Sequence, residues 1–142
     1  MKILLAVDGS KASLDAVDCV IGHADWYSSP PDVELVTVHL PVPKLPGIGS
    51  VVGRAGVQRY YAEEGDERLA AAKKKLAAAG IKYQARVLVG QVAETLVKHA
   101  RDKRCDMICI GTRGMTGAAA ALMGSTASKV LHLATMPVLL VK

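Results

Sequence analysis

Five apolar stretches mark out this chain, with longer stretches of helical spacing between them. Residues 2–7 read K-I-L-L-A-V, and residues 33–40, V-E-L-V-T-V-H-L, alternate in part and are rich in β-branched side chains. Residues 81–89 place Tyr83, Ala85, Val87 and Val89 on one face. Residues 106–110 and 138–141 complete the set, the last preceded by Pro137, whose missing N–H is tolerated at a strand start. Short, nearly continuous apolar runs suit strands buried on both faces of a parallel sheet.

The intervening stretches read as helices. Ser10 is a good N-cap, and Ala12, Leu14, Ala16, Val17, Val20 and Ile21 then stripe a helix to about Asp25. Residues 57–79 predict a long helix with Tyr61, Leu69, Ala72 and Leu76 turned inward and Gly80 as its stop. Glu63, Glu64, Asp66 and Glu67 crowd its first half and Lys73, Lys74 and Lys75 its second, a polarity that suits the helix dipole. Val92, Leu96, Val97 and Ala100 mark a third helix to about Asp102. A fourth is expected from an N-cap at Ser125 to about Ala134. Strands and helices therefore alternate, which implies an α/β fold: a single open five-stranded parallel sheet with helices on both faces and right-handed crossovers. With 142 residues, the whole chain, 1–142, is expected to form one domain.

Composition narrows the function classes. Phe is absent and aromatics make up only 4% of residues, so the core is aliphatic and the stacking platforms of single-stranded nucleic-acid binders are lacking. The net charge of +5 is dispersed, its densest run being Lys73 to Lys75, which reads as a solvated helix face; no nucleic-acid partner is expected. Cys19, Cys105 and Cys109 are odd in number and form no C-x-x-C, which suggests buried reduced thiols. His23, His39, His99 and His132 show no metal-ligand spacing. No apolar run approaches the ~18 residues of a membrane span, and residues 3–7 are too short for a signal-peptide core. A cytoplasmic location is expected.

The candidate chemistry lies in residues 111–125, G-T-R-G-M-T-G-A-A-A-A-L-M-G-S, between the fourth strand and the fourth helix. Glycines there either make turns or let the backbone approach a phosphate, beside the unpaired N–H groups of a helix N-terminus. The segment is neither a P-loop nor a G-x-G-x-x-G. Asp8, at the end of the first strand, either shapes a strand-to-helix turn or faces a bound ribose, base or metal. Residues 41–56, with three prolines and four glycines, read as a long loop poised over a ligand. The Ala118 to Ala121 run fits a helical stretch.

The spacing G-x2-G-x9-G-S from Gly111 to Ser125, with V-D-G-S at residues 7–10, resembles the ATP-binding branch of the universal stress protein family over essentially the whole chain. The resemblance implies a Rossmann-like sheet, of the adenine nucleotide alpha hydrolase type, with strand order 3-2-1-4-5. Asp8 and Gly111 would then face one crevice. It implies ATP, with Mg²⁺, as ligand. Ala6 and Asp8 would lie by the ribose and base, and Leu40 and Ile110 would flank the adenine. Gly111, Arg113 and Gly114 would line the phosphate path, and Gly124, Ser125 and Thr126 would offer N–H and hydroxyl groups. His39 is expected to be a hydrogen-bonded structural histidine. Ala127 stands where many ATP-binding members keep a hydroxyl, so one phosphate contact is lost unless Thr126 compensates. The resemblance also implies a homodimer through Val138 to Val141 and a regulatory, stress-response role through a protein partner. An ATPase or phosphotransferase is the alternative. Asp8 and Asp106 are the acids available and no P-loop lysine exists, so slow hydrolysis at most is expected. AMP, a cyclic nucleotide or a flavin would also satisfy a glycine loop.

Overall fold

The computed structural model describes residues 1–42, 53–114 and 123–142. Its strands are β1 (Lys2–Ala6), β2 (Asp32–His39), β3 (Tyr83–Val89), β4 (Met107–Gly111) and β5 (Val138–Val141). Its helices are α1 (Lys11–Gly22), α2 (Gly53–Ala78), α3 (Val92–Asp102) and α4 (Ser125–Leu133), with a 3-10 turn at Ala24–Trp26. All strand pairs are parallel, in the order β3-β2-β1-β4-β5. The fold and strand order are those expected from the sequence.

Strand parity divides the core into two layers. Ile3, Leu5, Val33, Leu35 and Cys109 point to the face covered by α1 and α2, where Val17, Val20, Leu69, Ala72 and Leu76 meet them. Leu4, Ala6, Val36, Val38, Ile108 and Ile110 point to the opposite face, against Leu96, Val97 and Ala100 of α3 and Val130 of α4. Burying a side chain of this size contributes about 1.5–3 kcal/mol, so both faces of β1 and β4 are held. α2 rides close on the sheet because Gly65 has no side chain: a Cβ there would sit 2.5 Å from both Val87 methyls. Gly80 takes a φ of +68°, and the Gly80 and Ile81 N–H groups bond back to the Ala77 and Leu76 carbonyls. These are the paired bonds of a Schellman stop.

Several boundaries differ from the sequence expectation. α1 ends at Gly22, because the His23 N–H and ring Nδ1 both engage the Cys19 carbonyl and cap the helix there. Residues 53–56 belong to α2; their two glycines made them read as loop. The rest of the expected flap, residues 43–52, and the alanine run lie outside the described residues. Val89 shares the parity of Tyr83, Ala85 and Val87 but is 45% exposed, at the open end of the edge strand. The three thiols are free; Cys105 and Cys109 are buried and Cys19 is partly exposed, and burial pushes the Cys109 thiol up to about 12.

One ion cluster is built into the sheet. Glu34 is 1% exposed, with Lys2 Nζ 2.9 Å from one carboxylate oxygen and His99 Nε2 3.1 Å from the other. Burial favours the neutral acid, but Lys2 and His99 outweigh it and hold the carboxyl below the ordinary glutamate range. A depressed folded-state value stabilises the fold above the unfolded value of about 4.3 and loses that contribution as pH falls through the folded value. The urea midpoint should therefore drop between about pH 6 and pH 3 by more in wild type than in Glu34→Gln. Equal drops would show that the cluster is energetically silent.

Candidate functional site

A cavity of about 590 Å³ opens at the carboxyl ends of β1, β2 and β4. β1 and β4 are neighbours, with Ala6 registered on Ile110. The chain leaves β1 toward α1 on one face, and α4, which follows β4, covers the other. The connections therefore diverge and leave a crevice, as expected at a topological switch point.

One wall is apolar: Ala6, Val36, Val38 and Ile110 from the strands and Val92 and Leu96 from α3. Leu40 stands at the rim, 60% exposed. The other lining is polar. Asp8 Oδ1 accepts the Ser10 N–H at 2.9 Å, and the Ser10 hydroxyl accepts the Ser13 N–H at 3.3 Å. The Ser13 hydroxyl donates to the Ser10 carbonyl at 2.8 Å. The turn fixes the Asp8 carboxylate, and the residue lines the crevice. Its Oδ2 points toward Gly114, where a Cβ would lie 2.8 Å away.

The glycines divide their work. A Cβ on Gly111 would lie 2.5 Å from the Ala12 carbonyl oxygen, so this glycine is required for α1 to pass over β4. That is a packing role, and the glycine also lines the cavity, where a place along a phosphate path was expected. Gly114 is exposed, and a Cβ there would meet only the tip of the Asp8 carboxylate. Gly124 donates its N–H to the Thr112 carbonyl at 2.7 Å and ties the start of α4 to the end of β4.

Ser125 is not the N-cap of α4. Gly124 is: its backbone is extended and its carbonyl accepts the Ser128 N–H at 3.0 Å, which places Ser125 inside the first turn. Among the described residues no side chain caps this helix. Its first-turn N–H groups therefore open onto the crevice that Ser125, Thr126 and Ala127 line, with positive partial charge. Arg113, exposed, lines the same side. All ten residues singled out in the sequence line this one cavity, although residues 115–122 of the glycine-rich segment lie outside the described residues.

The sequence missed the wall formed by α2. Tyr60, Tyr61 and Arg68 line the cavity, and Tyr61 accepts the Val42 N–H at 2.7 Å instead of joining the core. The Arg68 guanidinium is 2.9 Å from Glu64 and 25% exposed. The signal was available: Arg68 lies seven residues after Tyr61, on the same helical stripe. His39 is 4% exposed with its ring centroid 5.5 Å from that of Tyr61. Burial and the charge of Arg68 hold its pKa below the usual imidazole value, so it stays neutral. Among the described residues its Nε2 has no hydrogen-bond partner, nor has Thr37 Oγ1. The hydrogen bond expected of a structural His39 is therefore not made at Nε2 among those residues.

A doubly wound parallel sheet with a crevice at its switch point, lined by apolar side chains and by the start of a helix, defines a protein of Rossmann-like fold with a candidate ligand site. The universal stress protein family model matches residues 1–142, and the chain belongs to that family. It is 34% identical to universal stress protein MJ0531 of Methanocaldococcus jannaschii, over 99% of this chain and 81% of that protein. Among solved structures, protein MJ0577 of the same organism aligns with a TM-score of 0.82 and 28% identity, over 99% and 94% of the two chains. The universal stress protein of Archaeoglobus fulgidus in complex with dAMP aligns with a TM-score of 0.65 and 25% identity, over 100% and 98%. Among the described residues no helix is long and apolar enough to cross a membrane, and no group of three or more His, Cys, Asp or Glu could hold a metal ion.

The contrast between the glycines is testable. Gly111→Ala should destabilise the fold by about 1–3 kcal/mol through overpacking, while Gly114→Ala should stay close to wild type. Urea unfolding checks this; equal midpoints for the two variants would contradict the packing role of Gly111.

Proposed function

We propose that this chain binds an adenine nucleotide in the switch-point crevice, ATP with Mg²⁺ foremost, and acts as a nucleotide-dependent regulator in a stress response through a protein partner. The observation that carries the reading is the mixed lining of the crevice: one cavity holds both an apolar wall and the N-terminus of α4, which no side chain caps among the described residues. An adenine suits the first and phosphates suit the second. The dAMP complex of the A. fulgidus protein supports the ligand class. In this reading Leu40 and Ile110 flank the base and Ala6 and Asp8 lie by the sugar and base. Gly111, Arg113, Gly114, Gly124, Ser125 and Thr126 surround the phosphates. Ala127 is 2% exposed and brings no hydroxyl, but Thr126 lines the crevice beside it. Mg²⁺ would be held mainly by phosphate oxygens and water, as is usual for this ion, with Asp8 the nearby carboxylate. Binding needs only these groups, whereas phosphoryl transfer also needs a group placed to activate a nucleophile. We therefore rank regulation above catalysis.

Calorimetric titration with ATP and Mg²⁺ tests the reading. Wild type should bind, and Gly114→Val, which crowds the Asp8 carboxylate, should lose at least tenfold in affinity. Binding of AMP or a cyclic nucleotide without ATP would move the assignment to that ligand. No binding of any of them would overturn it.

We also propose a homodimer through Val138–Val141. The Pro137 and Val141 carbonyls accept from Ile108 and Thr112 of the β4 side. By strand alternation the N–H and C=O groups of Val138 and Leu140 face the outer edge, which a second copy would pair. Leu140→Pro removes one outward N–H and leaves the β4 ladder intact. It should convert a dimer to a monomer on a sizing column; an unchanged dimer would refute this interface.

A further inference from the structure

The α2 wall of the crevice carries charge of both signs and little net charge. Arg68 lies beside the β1–α1 turn, its Cα 3.6 Å from where a Cβ on Gly9 would be. It is three-quarters buried, and its charge is met by Glu64 at 2.9 Å. One Nη is engaged there, yet a guanidinium carries five N–H donors in a fixed fork. His39, at the end of β2 beneath this wall, is held below the usual imidazole value by burial and by Arg68 itself. The α4 side offers the exposed Arg113 and a helix N-terminus that no side chain caps among the described residues. Anionic groups of a ligand are drawn to α4. The group left facing α2 must be polar and uncharged, because a neutralised ion pair gives a second anion little.

We propose that Arg68 is a specificity-determining residue of this crevice: its guanidinium donates to an uncharged acceptor on the nucleoside part of the ligand, so that α2 reads the nucleoside while α4 holds the phosphates. The inference rests on the nucleotide reading above and adds a contact that the glycine signature does not contain. It also makes α2 the helix that senses occupancy. Glu64, Tyr61 and Arg68 share one stripe of that helix, and Tyr61 is already tied to the chain after β2 by the Val42 N–H.

The test compares ATP, AMP and inorganic tripolyphosphate by calorimetry on wild type, Arg68→Met and Arg68→Lys. Met keeps the aliphatic stem and removes the donors; Glu64, 38% exposed, stays solvated without its partner. Arg68→Met should weaken ATP and AMP by the same factor, about tenfold, the scale of a hydrogen bond from a charged donor. Tripolyphosphate binding should not change, and Arg68→Lys should recover part of the loss. In wild type the Arg68 Nε–H resonance should move on addition of AMP and stay in place with tripolyphosphate, a readout that needs no variant to fold. Unchanged ATP affinity in Arg68→Met, or an equal loss for tripolyphosphate, would overturn the role of Arg68 and leave the nucleotide site standing. A wild type that binds tripolyphosphate but neither nucleotide would overturn both.

Discussion

The approach of α1 to β4 at Gly111 is the contact on which the crevice depends. The Ala12 carbonyl stands where any side chain at residue 111 would have to go. Because it can come that close, the first turn of α1 folds directly over the end of β1, and Asp8 is held there by Ser10 and Ser13. On the other side Gly124 bonds to Thr112, so the start of α4 is pinned to the end of β4. Two adjacent strands thus release their helices in opposite directions within a few residues, and the space between them is the cavity. A bulkier residue at position 111 would disturb that space by moving α1.

That geometry also sets the electrostatics. A helix that begins at a crevice without a side-chain cap leaves its first N–H groups to whatever enters. α1 differs in this respect: Ser10 accepts the Ser13 N–H and closes its first turn. The two helices of the switch point are therefore unequal. One is capped and presents a fixed carboxylate; the other is open and presents donors. An asymmetric ligand with an anionic end has a single favourable orientation between them.

The fold was legible because its evidence is local and repeated. Five apolar runs and their intervening stripes each point to one element, and alternation fixes the class. Strand order was not in the periodicity; it came with the family resemblance carried by Gly111 to Ser125. The α4 side of the site was legible for the same reason, since glycine spacing is written along the chain. The role of Gly111 was not, because the clash it avoids is with Ala12, about a hundred residues away in sequence. The α2 wall was invisible for a related reason. Arg68 and Glu64 look like one more exposed i,i+4 pair until the sheet brings β2 beneath them, and Tyr61 looks like core.

β2 shows how one strand serves both stability and a site. On the face turned to α2, Val33 and Leu35 are buried among aliphatic side chains at the base of the sheet. Two steps further along the same face come Thr37 and His39, equally buried but polar. A buried polar atom without a partner costs about 1–3 kcal/mol, so aliphatic residues would give a firmer strand here. The change of chemistry falls at the end that opens into the cavity, under the part of α2 that carries Tyr61 and Arg68. Departures from the rules of core packing are expected where a fold is committed to a ligand. The apolar base of β2 supplies the rigidity that lets its upper end depart from them.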